Sequence, residues 1–115
     1  MKDISGTIEL KGKEYPMYFN LNVMEQIQDE YGSVDNWAGL TDGASGEPNA
    51  KAVIFGFTQM INEGIDIKNE DSEIKEPFVT HKQVGRMLTE YGLKEATKQL
   101  NKTVIESTQS DSKNV

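Results

Sequence analysis

The most constraining feature of this sequence is the alternation of apolar and polar residues on either side of Gly12, over residues 7–19. A period of two is typical of β-strands with one buried face, and glycine between two such segments favours a hairpin turn. A loop of two or four residues places all the apolar residues on one face of the hairpin, whereas a loop of three would bury a glutamate. We therefore predict a hairpin with an even-length loop and a buried face formed by Ile8, Leu10, Tyr15, Met17 and Phe19.

The segment after the hairpin is predicted to cover that face. Pro16 has no N–H to donate, so its strand belongs at the edge of a sheet, and a lone two-stranded hairpin is marginally stable in water. Asn20 suits an N-cap and Gly32 suits the position after a helix. The residues between them carry an apolar stripe at helical spacing, made of Leu21, Val23, Met24, Ile27 and Tyr31.

The remaining chain divides into helices separated by loops that contain glycine or proline. We predict a short helix over 33–40, with Ser33 as a candidate N-cap and with Trp37 and Leu40 inward, and a central helix over 50–63. Two further helices are predicted over 80–91, after a Thr80–Gln83 capping box, and over 93–105. The central helix is expected to end at Gly64, and residues 65–77 to form a solvated linker. Gly56 in the middle of the central helix predicts a close approach by another element.

The predicted fold class is mainly α within α+β, with an N-terminal β-hairpin packed on a bundle of four to five helices. We predict a single globular domain over 1–106, with the hairpin at 4–19 and the helical part at 20–106. Residues 107–115 are polar and without periodicity, so we predict a disordered tail there.

The charge is unevenly distributed along the chain. The 12 basic and 19 acidic residues give a net charge of −7, and no lysine or arginine lies between Lys13 and Lys51. The sign reverses locally over 81–102. Nucleic-acid binding by the acidic half is not expected, because it rests on basic surfaces. One hypothesis is a head-to-tail contact between copies, in which Glu25, Asp29 and Glu30 meet Lys94, Lys98 and Lys102; the alternative is two solvated helix faces.

No pattern of an active site or a metal site is present in the sequence. The chain has no cysteine, and its one histidine, His81, has no partner suggested by spacing. The glycine-rich stretch 39–46 lacks the Lys-Ser/Thr that follows a phosphate loop, and the acidic stretch 65–77 lacks the central glycine of a calcium loop. We therefore expect no enzyme activity, no cofactor and no bound metal. No segment is apolar enough to cross a bilayer, so we expect a soluble, unexported protein.

The segment KGKEYPMYFNLNVMEQIQDEYGS, together with FTQMINEG, resembles the tail assembly chaperones of long-tailed bacteriophages, of the type common in phages of Gram-positive hosts. The resemblance implies a non-enzymatic, largely α-helical protein that binds the tape measure protein, keeps it soluble, and promotes polymerisation of the tail tube around it. It also implies self-association, with a spiral as the expected form. The protein would act in the host cell cytoplasm and be absent from the mature virion. The family often makes a longer product by ribosomal frameshifting.

Two other classes stay open at this point. A phage structural or head-tail joining component would have the same size and fold and would remain in the particle. A small acidic regulator would act as a monomer on a basic host protein. The methionines Met17, Met24, Met60 and Met87 are expected mostly in the core, although a methionine-lined groove for an apolar helix is an alternative.

Overall fold

A computed structural model describes residues 5–43 and 46–112, with side chains described for residues 6–43 and 46–106. The fold class predicted from the sequence is confirmed, since an antiparallel hairpin precedes five helices. The strands are β1 (Ser5–Leu10) and β2 (Lys13–Tyr18). The helices are α1 (Leu21–Tyr31), α2 (Val34–Thr41), α3 (Ala50–Glu70), α4 (His81–Leu88) and α5 (Gly92–Ser112).

The hairpin has the predicted even-length loop, of two residues. Leu10 pairs with Lys13, and Lys11 and Gly12 between them have φ angles of 54° and 76°. Two left-handed residues in succession match the twist of the flanking strands, which explains why glycine occupies the second position. The predicted apolar face is confirmed: Tyr15 is half-buried and its companions, Ile8, Leu10, Met17 and Phe19, are buried.

Helix α3 is the central helix, and two of its glycines set how closely its neighbours approach. A Cβ on Gly56 would lie 2.5 Å from the Trp37 ring and 3.2 Å from Leu100, which identifies the close approach predicted there. A Cβ on Gly64 would strike the backbone carbonyl of Pro16 in β2. The prediction that Gly64 ends this helix is wrong, because the glycine lies at the contact with the hairpin and α3 continues to Glu70.

The predicted helix starts are confirmed by their caps. Asn20 and Ser33 accept hydrogen bonds from backbone amides in the first turns of α1 and α2, and Thr80 forms a complete capping box with Gln83. Phe19, just before the first cap, stacks on Trp37 with ring centroids 6.4 Å apart. The hairpin, α1 and α2 therefore meet α3 in a single core.

Three expectations about faces and ends are changed by the structure. Leu21 is 69% exposed and Leu40 is 40% exposed, so neither points inward as predicted. The expected solvated linker starts later than residue 65, since 65–70 belong to α3 and Ile65 is buried. Helix α5 extends to Ser112, past the boundary predicted at 106, and no glycine or proline follows Gly92 in it. Residues 113–115 lie outside the described residues.

Candidate partner-binding surface

The described residues contain no group of three or more histidine, cysteine, aspartate or glutamate side chains arranged to hold a metal ion. His81 is exposed at the first position of α4. Within the described ranges, no helix is both long enough and apolar enough to cross a membrane. Charged helix faces and open grooves are the main features of the described surface.

The three predicted acidic residues lie on the outer side of α1. Glu25, Asp29 and Glu30 are all exposed, because the helix packs on the core through Val23 and Ile27. None of the three forms an ion pair with another described residue. Burial, and to a lesser degree the neighbouring Glu30 carboxylate, raises the pKa of Tyr31. The phenol therefore stays neutral, and α1 presents an unpaired negative face.

The three predicted basic residues follow one another at intervals of four along α5. Lys94, Lys98 and Lys102 are exposed, and none forms an ion pair with another described residue. Lys94 and Lys98 line a depression of about 640 Å³ that is also lined by Asp42 and Glu47. Its charge is therefore mixed. The acidic and basic sets are not joined within one molecule, so the contact between copies stays a hypothesis.

A groove that sequence reasoning missed lies between the hairpin, the linker and α4. We call it the Phe78 groove; it has a volume of about 380 Å³ and is lined by Lys11, Lys13, Tyr15, Pro77, Phe78, Val79, Gln83, Arg86 and Met87. Phe78 is 56% exposed, whereas Tyr15, Val79 and Met87 are half-buried. An exposed aromatic side chain on a partly buried apolar floor marks a binding surface more strongly than a scattered surface leucine does.

The linker segment 76–79, which we call the strap, is held on α3 by two asparagine side chains. Asn62 donates to the Val79 carbonyl at 2.9 Å and accepts from the Val79 amide at 2.8 Å. Asn69 does the same at Glu76, with distances of 3.0 Å and 2.9 Å. Seven helical residues span about 10.5 Å, and three extended residues span roughly 10 Å. The two spacings match, so the strap lies extended along the helix.

Lysines from two elements fix the start of the strap. The Glu76 carboxylate accepts a hydrogen bond from Lys68 Nζ at 2.9 Å and lies 3.4 Å from Lys13 Nζ. The Lys68 hydrogen bond, supported by the Lys13 charge and opposed by burial, lowers the pKa of Glu76. Lys13 also lies 5.1 Å from the centre of the Tyr15 ring. The hairpin, the strap and α3 are thus connected at one edge of the groove.

Further contacts join the hairpin to the residues that follow α4. Tyr91 donates a 2.5 Å hydrogen bond to the Glu9 carbonyl, and Lys11 pairs with Glu90 at 3.5 Å. The two residues of each pair lie about 80 positions apart in the sequence. The contacts that connect the hairpin to this part of the chain therefore form only in the complete fold.

An acidic depression lies on the other side of Phe78. It has a volume of about 370 Å³, and its charged lining residues are Glu25, Glu63 and Asp66. Glu63 accepts hydrogen bonds from Asn20 and Asn22 at 2.8 Å and 3.0 Å. Phe78 therefore separates a basic groove from an acidic one, and the predicted residue Glu25 belongs to the acidic one.

Comparison of the chain with protein-family models, with curated proteins and with solved structures finds no match.

Proposed function

We propose that this chain is a phage tail assembly chaperone, a non-enzymatic protein that binds the tape measure protein and promotes tail tube assembly. The proposal follows the sequence resemblance. The observation that carries it is the Phe78 groove, an open, partly apolar surface with a polar rim on a well-packed scaffold. A chain that keeps a long helical partner soluble needs such a surface, because it must cover apolar stripes without aggregating itself.

The proposed place of action is the host cell cytoplasm, before the virion is complete, and copies of the chain are proposed to associate head to tail into a spiral. The exposed acidic face of α1 and the lysines of α5 support this arrangement, since two different surfaces that complement each other build open chains of subunits. Detection of the protein in purified virions would contradict the proposal and favour a structural or head-tail joining component.

Co-expression with the tape measure protein of the same phage tests the proposal. The chain is expected to move the tape measure protein from the insoluble to the soluble fraction and to co-purify with it. Phe78→Ser is expected to reduce that soluble yield several-fold, because it removes the exposed aromatic ring from the groove.

The matched control is Ile74→Ser, which removes a more exposed apolar side chain, 83% accessible, from the same linker but outside the groove. It is expected to leave the soluble yield unchanged. A tape measure protein that is equally insoluble with and without the chain would refute the proposed function. Equal reductions of the soluble yield by Phe78→Ser and Ile74→Ser would show that the groove is not the surface that binds the tape measure protein.

A further inference from the structure

We infer that the Phe78 groove binds an amphipathic helix whose apolar stripe is bordered by carboxylates. The inference rests on the proposed function in one respect, since it places that helix in the tape measure protein. It is carried by three features of the groove: the sign of its charge, the hydrogen-bonding state of its backbone, and the shape of its apolar floor.

Every charged side chain that lines the groove is basic. Lys11 and Lys13 pair with Glu90 and Glu76, but both lysines remain more than half exposed, at 56% and 53% of their side-chain surface. Arg86 is exposed and forms no ion pair with another described residue. Its guanidinium is therefore available for a bidentate contact with a carboxylate, which is among the stronger polar contacts across an interface.

The backbone around the groove favours a helix over an extended peptide. An added strand needs free N–H and C=O groups, but those of Glu76 and Val79 are bonded to Asn69 and Asn62, and Pro77 has no N–H. Strand β2 pairs with β1 on one side, and at Pro16 its carbonyl lies against Gly64 of α3. A helix brings its own backbone hydrogen bonds, so it needs none from the groove.

The floor offers apolar contacts of the kind that a helix face uses. Phe78 and Tyr15 are aromatic, and Met87 is an unbranched side chain that adapts to irregular partners. A second copy of this chain is a poorer occupant. Its acidic helix α1 packs on its own core through Val23 and Ile27, which leaves Leu21 as the only large exposed apolar side chain that α1 offers.

Photo-crosslinking in the complete chain tests the inference. Phe78→p-benzoylphenylalanine, co-expressed with the tape measure protein, is expected to crosslink to a segment with an apolar helical stripe flanked by aspartate or glutamate. The control position is Leu40→p-benzoylphenylalanine, which places the same group on α2 at a 40% exposed site away from the groove, and no such crosslink is expected there.

A synthetic peptide of the crosslinked segment then tests the charge by fluorescence anisotropy. Arg86→Glu is expected to weaken its binding roughly ten-fold, which corresponds to about 1.4 kcal/mol. Lys82→Glu, which makes the same charge change one turn earlier on α4 and outside the groove, is expected to change the affinity less than two-fold. Thermal melts of both variants check that the fold is intact.

The outcomes separate the two proposals. A soluble, co-purified tape measure protein that crosslinks at position 40 and not at 78, or through a basic or unpatterned segment, would overturn the groove assignment and leave the proposed function standing. Crosslinking from position 78 to a second copy would assign the groove to self-association instead. A tape measure protein that stays insoluble would contradict both proposals.

Discussion

At the residue scale, two glycines in α3 show how far a sequence pattern reaches. Gly56 in an apolar helix indicates a close neighbour, yet Trp37 and Leu100, the residues it meets, come from α2 and α5. Gly64 resembles a helix end in the sequence, but it is the point where α3 meets the Pro16 carbonyl. The sequence shows that these two positions have no side chain, but only the fold shows which neighbouring group occupies the space.

This difference predicts opposite effects for two alanine substitutions in helices. Gly64→Ala is expected to destabilise the protein by roughly 1–3 kcal/mol, because the new Cβ meets backbone of β2 that has little room to move. Gly39→Ala, in α2 where a Cβ meets nothing within 4 Å, is expected to stabilise it by roughly 0.5–1 kcal/mol. Urea denaturation followed by circular dichroism measures both. Equal effects of the two substitutions would mean that the contact between α3 and β2 is looser than described.

The exposure of Leu21 has an equally local explanation. Successive helical residues are rotated by about 100°, so Leu21 lies about 200° from Val23, and the two side chains cannot face one core. Val23 and Ile27, four apart, are the buried pair. The apolar stripe predicted from the sequence included residues on both faces of α1, whereas only the face that carries Val23 and Ile27 is buried.

At the scale of elements, the hairpin and the helix caps were predictable because their signals are local. The alternation of residues set the register, and Asn20, Ser33 and Thr80 each cap the helix that they precede. The linker was not predictable in the same way. Its polar composition is typical of a solvated loop, whereas Asn62 and Asn69 hold it through hydrogen bonds that composition does not encode.

The attachment of the strap is expected to depend on pH through Glu76. The pKa of this carboxyl is lowered in the folded protein, so its stabilising contribution is present at pH values above the ordinary carboxyl range. That contribution is lost as the pH falls through the lowered, folded-state pKa. An NMR titration of the Glu76 carboxyl locates this pKa. Hydrogen exchange at the Val79 amide, corrected for the pH dependence of the intrinsic exchange rate, is expected to show a smaller protection factor below it.

Lys68→Met is expected to move the Glu76 pKa back towards its ordinary value, because the Lys68 hydrogen bond is the largest cause of the shift. Lys75→Met is the matched control, since Lys75 donates hydrogen bonds to the carbonyls of Asn69 at the end of α3 and Ser72 in the linker, and not to Glu76. A Glu76 pKa unmoved by Lys68→Met would show that the ion pair does not persist in solution.

At the scale of the whole molecule, the exposed charges were predictable and the groove was not. All six predicted residues are exposed, as charged residues in helical patterns usually are. The Phe78 groove combines residues 11–15 of the hairpin with residues 77–79 and 83–87, which follow about 60 positions later in the chain. The one signal in the sequence was Phe78 itself, an aromatic residue after a proline in a polar linker. Its place in a groove can be recognised only from the fold, which brings α4 close to the hairpin.

The head-to-tail hypothesis predicts a charge-swap result. Reversing Glu25, Asp29 and Glu30 to lysine in one variant, and Lys94, Lys98 and Lys102 to glutamate in another, is expected to leave each variant monomeric in analytical ultracentrifugation. Mixing the two restores opposite charges at both contacts and is expected to restore association. Association of the native chain is expected to weaken as salt rises from 0.05 M to about 1 M. Sedimentation that is independent of salt, or a mixture that stays monomeric, would contradict the hypothesis.

The paired amide contacts of Asn62 and Asn69 divide the connection between α3 and α4 into two parts with different tolerance for length. Insertion or deletion of residues within 71–75 would change only the length of an exposed loop, and the aromatic ring of Phe78 would keep its position. One residue added between Glu76 and Val79 would break the match with the helical rise and turn that ring to the opposite side. Sequence variants of this chain are therefore expected to differ in length before Glu76 and to keep a fixed count after it.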